Sequence, residues 1–84
     1  MITLSQAYRL CECDGAYLHP IEKDNDTARI HLSDKQIREH LDMKAIQVTK
    51  IRPHIDPYDG EFFGMEFDVS GITREELLKL SWKF

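Results

Sequence analysis

The chain has 84 residues, 42% of them hydrophobic and 31% charged, with 4 Gly and 3 Pro, the composition of one globular domain spanning 1–84 and not of a disordered, collagen-like or repeat chain. A chain this short buries only roughly 60% of its unfolded surface, so a two-domain enzyme is excluded and the core must be small and continuous. With 11 Lys and Arg against 15 Asp and Glu, the net charge of −4 disfavours indiscriminate binding to phosphates or anionic lipid.

Ile2-Thr3 with Gln6 opens the chain with a helix-start pattern: a hydrophobe, a hydroxyl residue, then Gln three positions on. The hydroxyl accepts from the N3 amide while the Gln side chain reaches back to the cap amide, relieving two donors that lack partners inside the helix. A first helix is predicted over 4–13, with Leu4, Ala7, Tyr8, Leu10 and Cys11 toward the core and Gly15 closing it in a left-handed conformation. Short strands follow over 16–19 and 28–32, separated by a polar loop over 22–27. Leu32-Ser33 with Gln36 repeats the helix start and predicts a second helix over 34–42 that buries Ile37 and Leu41.

A β-branched strand is predicted over 45–51, with Ile46 and Val48 alternating and a bulge near Thr49. Pro53, Pro57 and Asp59-Gly60 punctuate the gap before 63–69, where strict alternation sets Phe63, Met65, Phe67 and Val69 on one side. These two runs form an antiparallel hairpin with a long connection. Ile72-Thr73 with Glu76 starts a third helix over 74–81, burying Leu77, Leu78 and Leu80. Beyond it, Trp82 and Phe84 either fold back over the small core or stand as a contact for a partner or a second copy. The predicted class is α+β: a small antiparallel sheet with three short helices, in the order α-β-β-α-β-β-α.

Two cysteines one residue apart, Cys11 and Cys13, do not make a disulfide scaffold, and on a helix they would point about 200° apart, unable to share one ion. Asp24-Asn25-Asp26 is a polar turn and not an EF-hand, because the positions that demand an oxygen ligand, Gly and Glu hold Ala28, Arg29 and Lys35. There is no nucleophile elbow, P-loop or dinucleotide fingerprint, so no catalytic residue, metal or cofactor is assigned. No apolar run approaches the about 20 residues of a bilayer span, and Met1 to Arg9 lacks the pattern of a signal peptide, so the expected location is the cytosol.

Charge is unevenly laid out. Between 53 and 73 five acids (Asp56, Asp59, Glu61, Glu66, Asp68) meet no Lys or Arg, so this stretch carries −5. Alternation turns Glu66 and Asp68 away from Phe67, in a row spaced about 6.6–7 Å, with Asp56, Asp59 and Glu61 at one end and Tyr58 and Phe62 as aromatic anchors. These seven residues predict a small non-enzymatic interaction module, an adaptor, regulator or inhibitor, that docks on the basic surface of a protein partner. The same row fits an inhibitor from a phage or mobile element that imitates a phosphate backbone. Its plainer role is to keep an edge strand from pairing.

Residues 29–52 reverse the sign, with six basic residues against three acids. Lys35 and Arg38 on the second helix make this segment the alternative, a nucleic-acid reader. Against direct nucleic-acid binding, Asp34, Glu39 and Asp42 are interspersed and the segment carries no aromatic residue for stacking. The competing reading is a solvated surface on which Lys50 and Arg52 neutralise acids of the neighbouring strand.

Overall fold

All three helix starts form as the pattern requires. Gln6 N–H donates to Thr3 Oγ1 at 3.2 Å while Thr3 N–H donates to Gln6 Oε1 at 2.9 Å. Ser33 with Gln36 and Thr73 with Glu76 make the same reciprocal pairs. The computed structural model describes residues 2–21 and 29–81. The polar loop over 22–27 with its Asp24-Asn25-Asp26 turn, Ala28, Trp82 and Phe84 lie outside the described residues.

In chain order the elements are β1 (Ile2–Thr3), α1 (Leu4–Leu10), β2 (Ala16–Pro20), β3 (Ile30–Leu32), α2 (Asp34–His40), β4 (Gln47–Ile55), β5 (Phe62–Ser70) and α3 (Arg74–Ser81). The α+β class is as expected, but among the described residues the sheet has five strands, ordered β1-β4-β5-β2-β3, and it is mixed. β2 runs parallel to β5, pairing Leu18 with Phe67, while the other neighbours are antiparallel. The expected purely antiparallel four-strand sheet is corrected on both counts.

β4 and β5 form the expected hairpin, and the ladder slips between Val48 and Lys50, so Thr49 is the bulged residue. Pro53 does not end the strand as expected; it pairs with Met65 inside it. Among the described residues β1 flanks β4 only at Gln47 and Val48, so Pro53 sits where β4 is an edge strand, and there a missing N–H is tolerated.

Leu18, Leu32, Phe67 and Val69 on one sheet face meet Leu4, Ile37 and Leu77 of the three helices, all fully buried. Two short elements depart from the sequence pattern. α1 ends at Leu10, because Glu12 takes the left-handed conformation (φ 51°) and the Cys13 and Glu12 amides cap Tyr8 and Arg9. Leu10 is therefore exposed, and Gly15 plays another part: a Cβ there would stand 3.1 Å from the Leu32 carbonyl. In β5, Gly64 at φ 134° and a second register shift opposite His54 break the alternation, leaving Phe63 half exposed instead of stacked beside Met65. No described helix is long and apolar enough to cross a membrane.

Tyr8 ties α1 to α2. Its hydroxyl donates to Asp34 Oδ1 and accepts the Gly15 N–H at 2.8 Å, and the Arg38 guanidinium, bonded to Asp34 at 2.9 Å, lies over the ring. Burial, and then the Asp34 contact, push the phenol up to about 12 against the opposing pull of the Gly15 amide and Arg38. Tyr8→Phe is expected to lower stability by about 1–2 kcal/mol in urea unfolding. Spectrophotometric titration should show one tyrosine that resists ionisation until about pH 12 in the wild type and none in the variant.

Candidate functional site

The sheet face opposite the helices carries the polar half of each strand's alternation: Tyr17 and His19 from β2, His31 from β3, Lys50, Arg52 and His54 from β4, Glu66 and Asp68 from β5. Register sets them in rows. Arg52, Glu66, Tyr17 and His31 lie side by side across four strands, and Lys50, Asp68 and His19 form the next row.

Glu66 is the centre. It is buried (5% exposed), and its carboxylate has three cationic or imidazole neighbours: Arg29 Nε donates at 2.7 Å, His54 Nδ1 meets the same oxygen, and Arg52 Nε stands 3.4 Å from the other. Arg52 then donates through Nη2 to Asp68 at 2.7 Å, and His19 Nδ1 lies 3.4 Å from that carboxylate. Burial pulls the Glu66 carboxyl up, but the His54 and Arg29 hydrogen bonds together outweigh it and hold the group below the ordinary glutamate range.

The expected bare anionic row is thus corrected for Glu66 and Asp68. Both turn away from the core as alternation requires, yet the arginines of the same molecule neutralise them. The reading of Arg52 as a partner for acids on the next strand is the one the geometry meets. Asp56, Tyr58, Asp59, Glu61 and Phe62 are placed apart from this network, at the exposed end of the hairpin.

A line of rings crosses the same face. Tyr17 of β2 and His54 of β4 stack at 4.2 Å between centroids, although β5 lies between their strands. Gly64 lies beneath this contact, and its φ of 134°, which L side chains rarely adopt, is what calls for glycine there; a Cβ would meet the Tyr17 ring at an ordinary 3.8 Å. His31 tilts against the other side of Tyr17 at 4.9 Å, and Phe63 stands 6.3 Å from His54. A groove between the turn after α1 and the start of β5 is lined by Cys13, Tyr17, His31, Phe62 and Phe63.

Chemically, a carboxylate holding Nδ1 orients an imidazole for proton transfer. Here, however, Glu66 also serves two guanidinium groups, and among the described residues His54 bonds no hydroxyl or thiol. Among the described residues no three His, Cys, Asp or Glu converge on one metal position. Cys11 and Cys13 are both free, and because α1 stops at Leu10 they lie on the turn instead of on opposite helix sides. Burial, followed by the neighbouring Cys11, pushes the Cys13 thiol up to about 11.

No protein-family model, curated protein or solved structure matches the chain.

Tyr17, His19, His31 and His54 were not singled out as site residues by the sequence. A signal existed: the polar positions of three strands are basic or aromatic, while those of the fourth are acidic. What it lacked was the pairing of β2 with β5.

Glu66→Gln is expected to cost about 1–3 kcal/mol by chemical denaturation, less than a wholly buried pair because the arginines stay partly in solvent. The folded state holds Glu66 below its unfolded value, so this stabilisation is complete above the unfolded pKa of about 4.3 and is lost as pH falls through the lower folded value. The wild type should therefore lose stability steeply below about pH 4, and the variant less so over the same window.

Proposed function

We propose that the protein is a non-enzymatic interaction module, an adaptor, regulator or inhibitor, that grips a basic protein surface with the end of the β4–β5 hairpin. The observation that carries this reading is Tyr58, 96% exposed at the apex between Asp56 and Asp59, with Ile55 and Phe62 also exposed beside it. Large apolar groups gathered at one tip, ringed by acids, match the aromatic anchors on which binding energy concentrates. The acids would speed encounter with Lys and Arg of a partner.

The tip is built before any partner arrives. The Asp56 carboxylate accepts the Tyr58 N–H at 2.7 Å, Asp59 accepts the Glu61 N–H at 2.9 Å, and Asp56 N–H bonds the Glu61 carbonyl at 2.8 Å. Gly60, at φ 74°, donates to the Asp56 carbonyl and closes the turn. A loop already ordered loses little conformational freedom on docking. Among the described residues Asp56, Asp59 and Glu61 form no ion pair with Lys or Arg, so their charge faces outward. Imitation of a phosphate backbone is not part of this proposal: it needs a continuous row of carboxylates, and Glu66 and Asp68 are neutralised from within.

Tyr58→Ser and the double change Asp56→Lys with Asp59→Lys are expected to reduce recovery of the hairpin's partner at least tenfold in quantitative pull-downs from the host. The Tyr58→Ser change should leave the melting temperature unmoved, because Tyr58 touches no core residue. Photo-crosslinking from position 58 should label a basic protein. Equal recovery of every captured protein by wild type and both variants would remove the tip as the binding surface.

A further inference from the structure

The ring line and the cations around it lie apart from the Tyr58 tip; Glu66 and Asp68 account for the positions of Arg29, Arg52 and His54, but not for Lys50 and the half-exposed Phe63 beside them. We infer that the sheet face opposite the helices binds single-stranded nucleic acid, stacking bases on the half-exposed Phe63 ring and the adjoining edge of the His54–Tyr17 stack, and placing phosphates against Lys50 and the free guanidinium donors of Arg29 and Arg52.

Three observations lead there. First, the basic segment 29–52 contains no Phe, Tyr or Trp, yet the topology lays Tyr17 from β2 and Phe63 from β5 beside its Arg52 and the adjoining His54. Stacking rings and basic side chains, separated in sequence, share one face in the fold, and that combination recognises a single strand. Second, the two carboxylates on this face are tied down. Glu66 is buried under Arg29, Arg52 and His54, and Asp68 under Arg52, so the outward layer is guanidinium, ammonium and imidazole in a chain whose net charge is −4. Each guanidinium has five donors and spends only part of them on carboxylates, leaving others for phosphate oxygens. Third, the line of rings ends on Phe63, which is half exposed and tilted by 52° against His54 at 6.3 Å, so one of its faces is left for a base. The groove beside it, lined by Tyr17, His31 and Phe63, also holds the acids Glu12 and Asp14, which confines phosphates to the side of Arg29, Lys50 and Arg52.

The geometry favours a single strand over a duplex. Unpaired bases can be splayed onto rings on a sheet face, two or three at a time, whereas the bases of a duplex are stacked on one another and offer no free face. The three fixed cations of this face stand against two carboxylates, a net charge of +1, so affinity should be modest and the salt dependence shallow. For single strands, one to three neutralised phosphates give a slope between about −0.7 and about −2 in log K against log salt.

The test is fluorescence polarisation with labelled 12-nucleotide single-stranded RNA and DNA of mixed sequence, and with the matching duplex, across a salt series. Binding in the micromolar range to one or both single strands is expected, at least tenfold tighter than to duplex; the RNA and DNA arms tell which sugar is preferred. Phe63→Ala should weaken it roughly five- to a hundredfold, the range for losing one stacked ring. Lys50→Gln, at an exposed position and without setting a like charge opposite Asp68, should weaken it and flatten the salt slope by about 0.7. Tyr58→Ser should bind like wild type, which separates this face from the hairpin tip. Absence of binding to either single strand, equal binding to duplex, wild-type affinity in both Lys50→Gln and Phe63→Ala, or loss only on Arg38→Glu would each overturn the assignment.

Discussion

A carboxylate buried in the middle of a sheet is tolerable only while cations stay against it, and Glu66 places that condition on most of this molecule. Arg52 reaches it from β4, Arg29 from the residue preceding β3, and His54 from further along β4. Each partner arrives only if its strand keeps its register. A slip by one residue in the hairpin would turn Arg52 and His54 to the other face and leave the charge unpaired in the protein, a penalty of several kcal/mol. The apolar core on the opposite face supplies the driving force for folding, and the ion network adds to the register preference that the buried apolar set already imposes.

This constraint also separates two surfaces on a single hairpin. Where β4 and β5 lie in the sheet, the acids of β5 are absorbed by neighbouring strands and the exposed layer is basic and aromatic. Past Ile55 the strands leave the sheet, no arginine reaches the acids, and the tip stays anionic around an exposed tyrosine. One element thus presents opposite characters at its two ends, although residues 53–73, which span both, carry acids and no Lys or Arg. A surface for a basic protein and a surface for a nucleic-acid strand can then coexist on a chain with a small negative net charge.

Local chemistry was legible in the sequence, and long-range pairing was not. The capping pairs at Thr3, Ser33 and Thr73 involve residues three apart, and the bulge at Thr49 shows as a break in alternation, so both could be read directly. So could Arg52 as a neutraliser of β5, since a hairpin brings its two strands together without further information. The parallel contact of β2 with β5 joins segments almost fifty residues apart, and no local pattern records it; with it went the partnership of Tyr17 and His54. β1 is two residues long, too short for a period to show. Pro53 misled because proline ends strands in a sheet interior, while here it sits on an edge. Glu12 in place of Gly15 as the left-handed terminator of α1 reflects tertiary demand: Gly15 is needed where the chain passes the Leu32 carbonyl.

The contact between Tyr17 and His54 forms only if both the parallel strand pair and the hairpin register are in place, the same two pairings on which the Glu66 network and the face opposite the helices depend. Proton NMR in solution measures it directly. Strong nuclear Overhauser cross-peaks between the Tyr17 and His54 ring protons, alongside those linking Leu18 with Phe67, are the result this account predicts. Cross-peaks from Leu18 to Phe67 without any between the two rings would contradict it, showing the core assembled while the opposite face was organised in some other way.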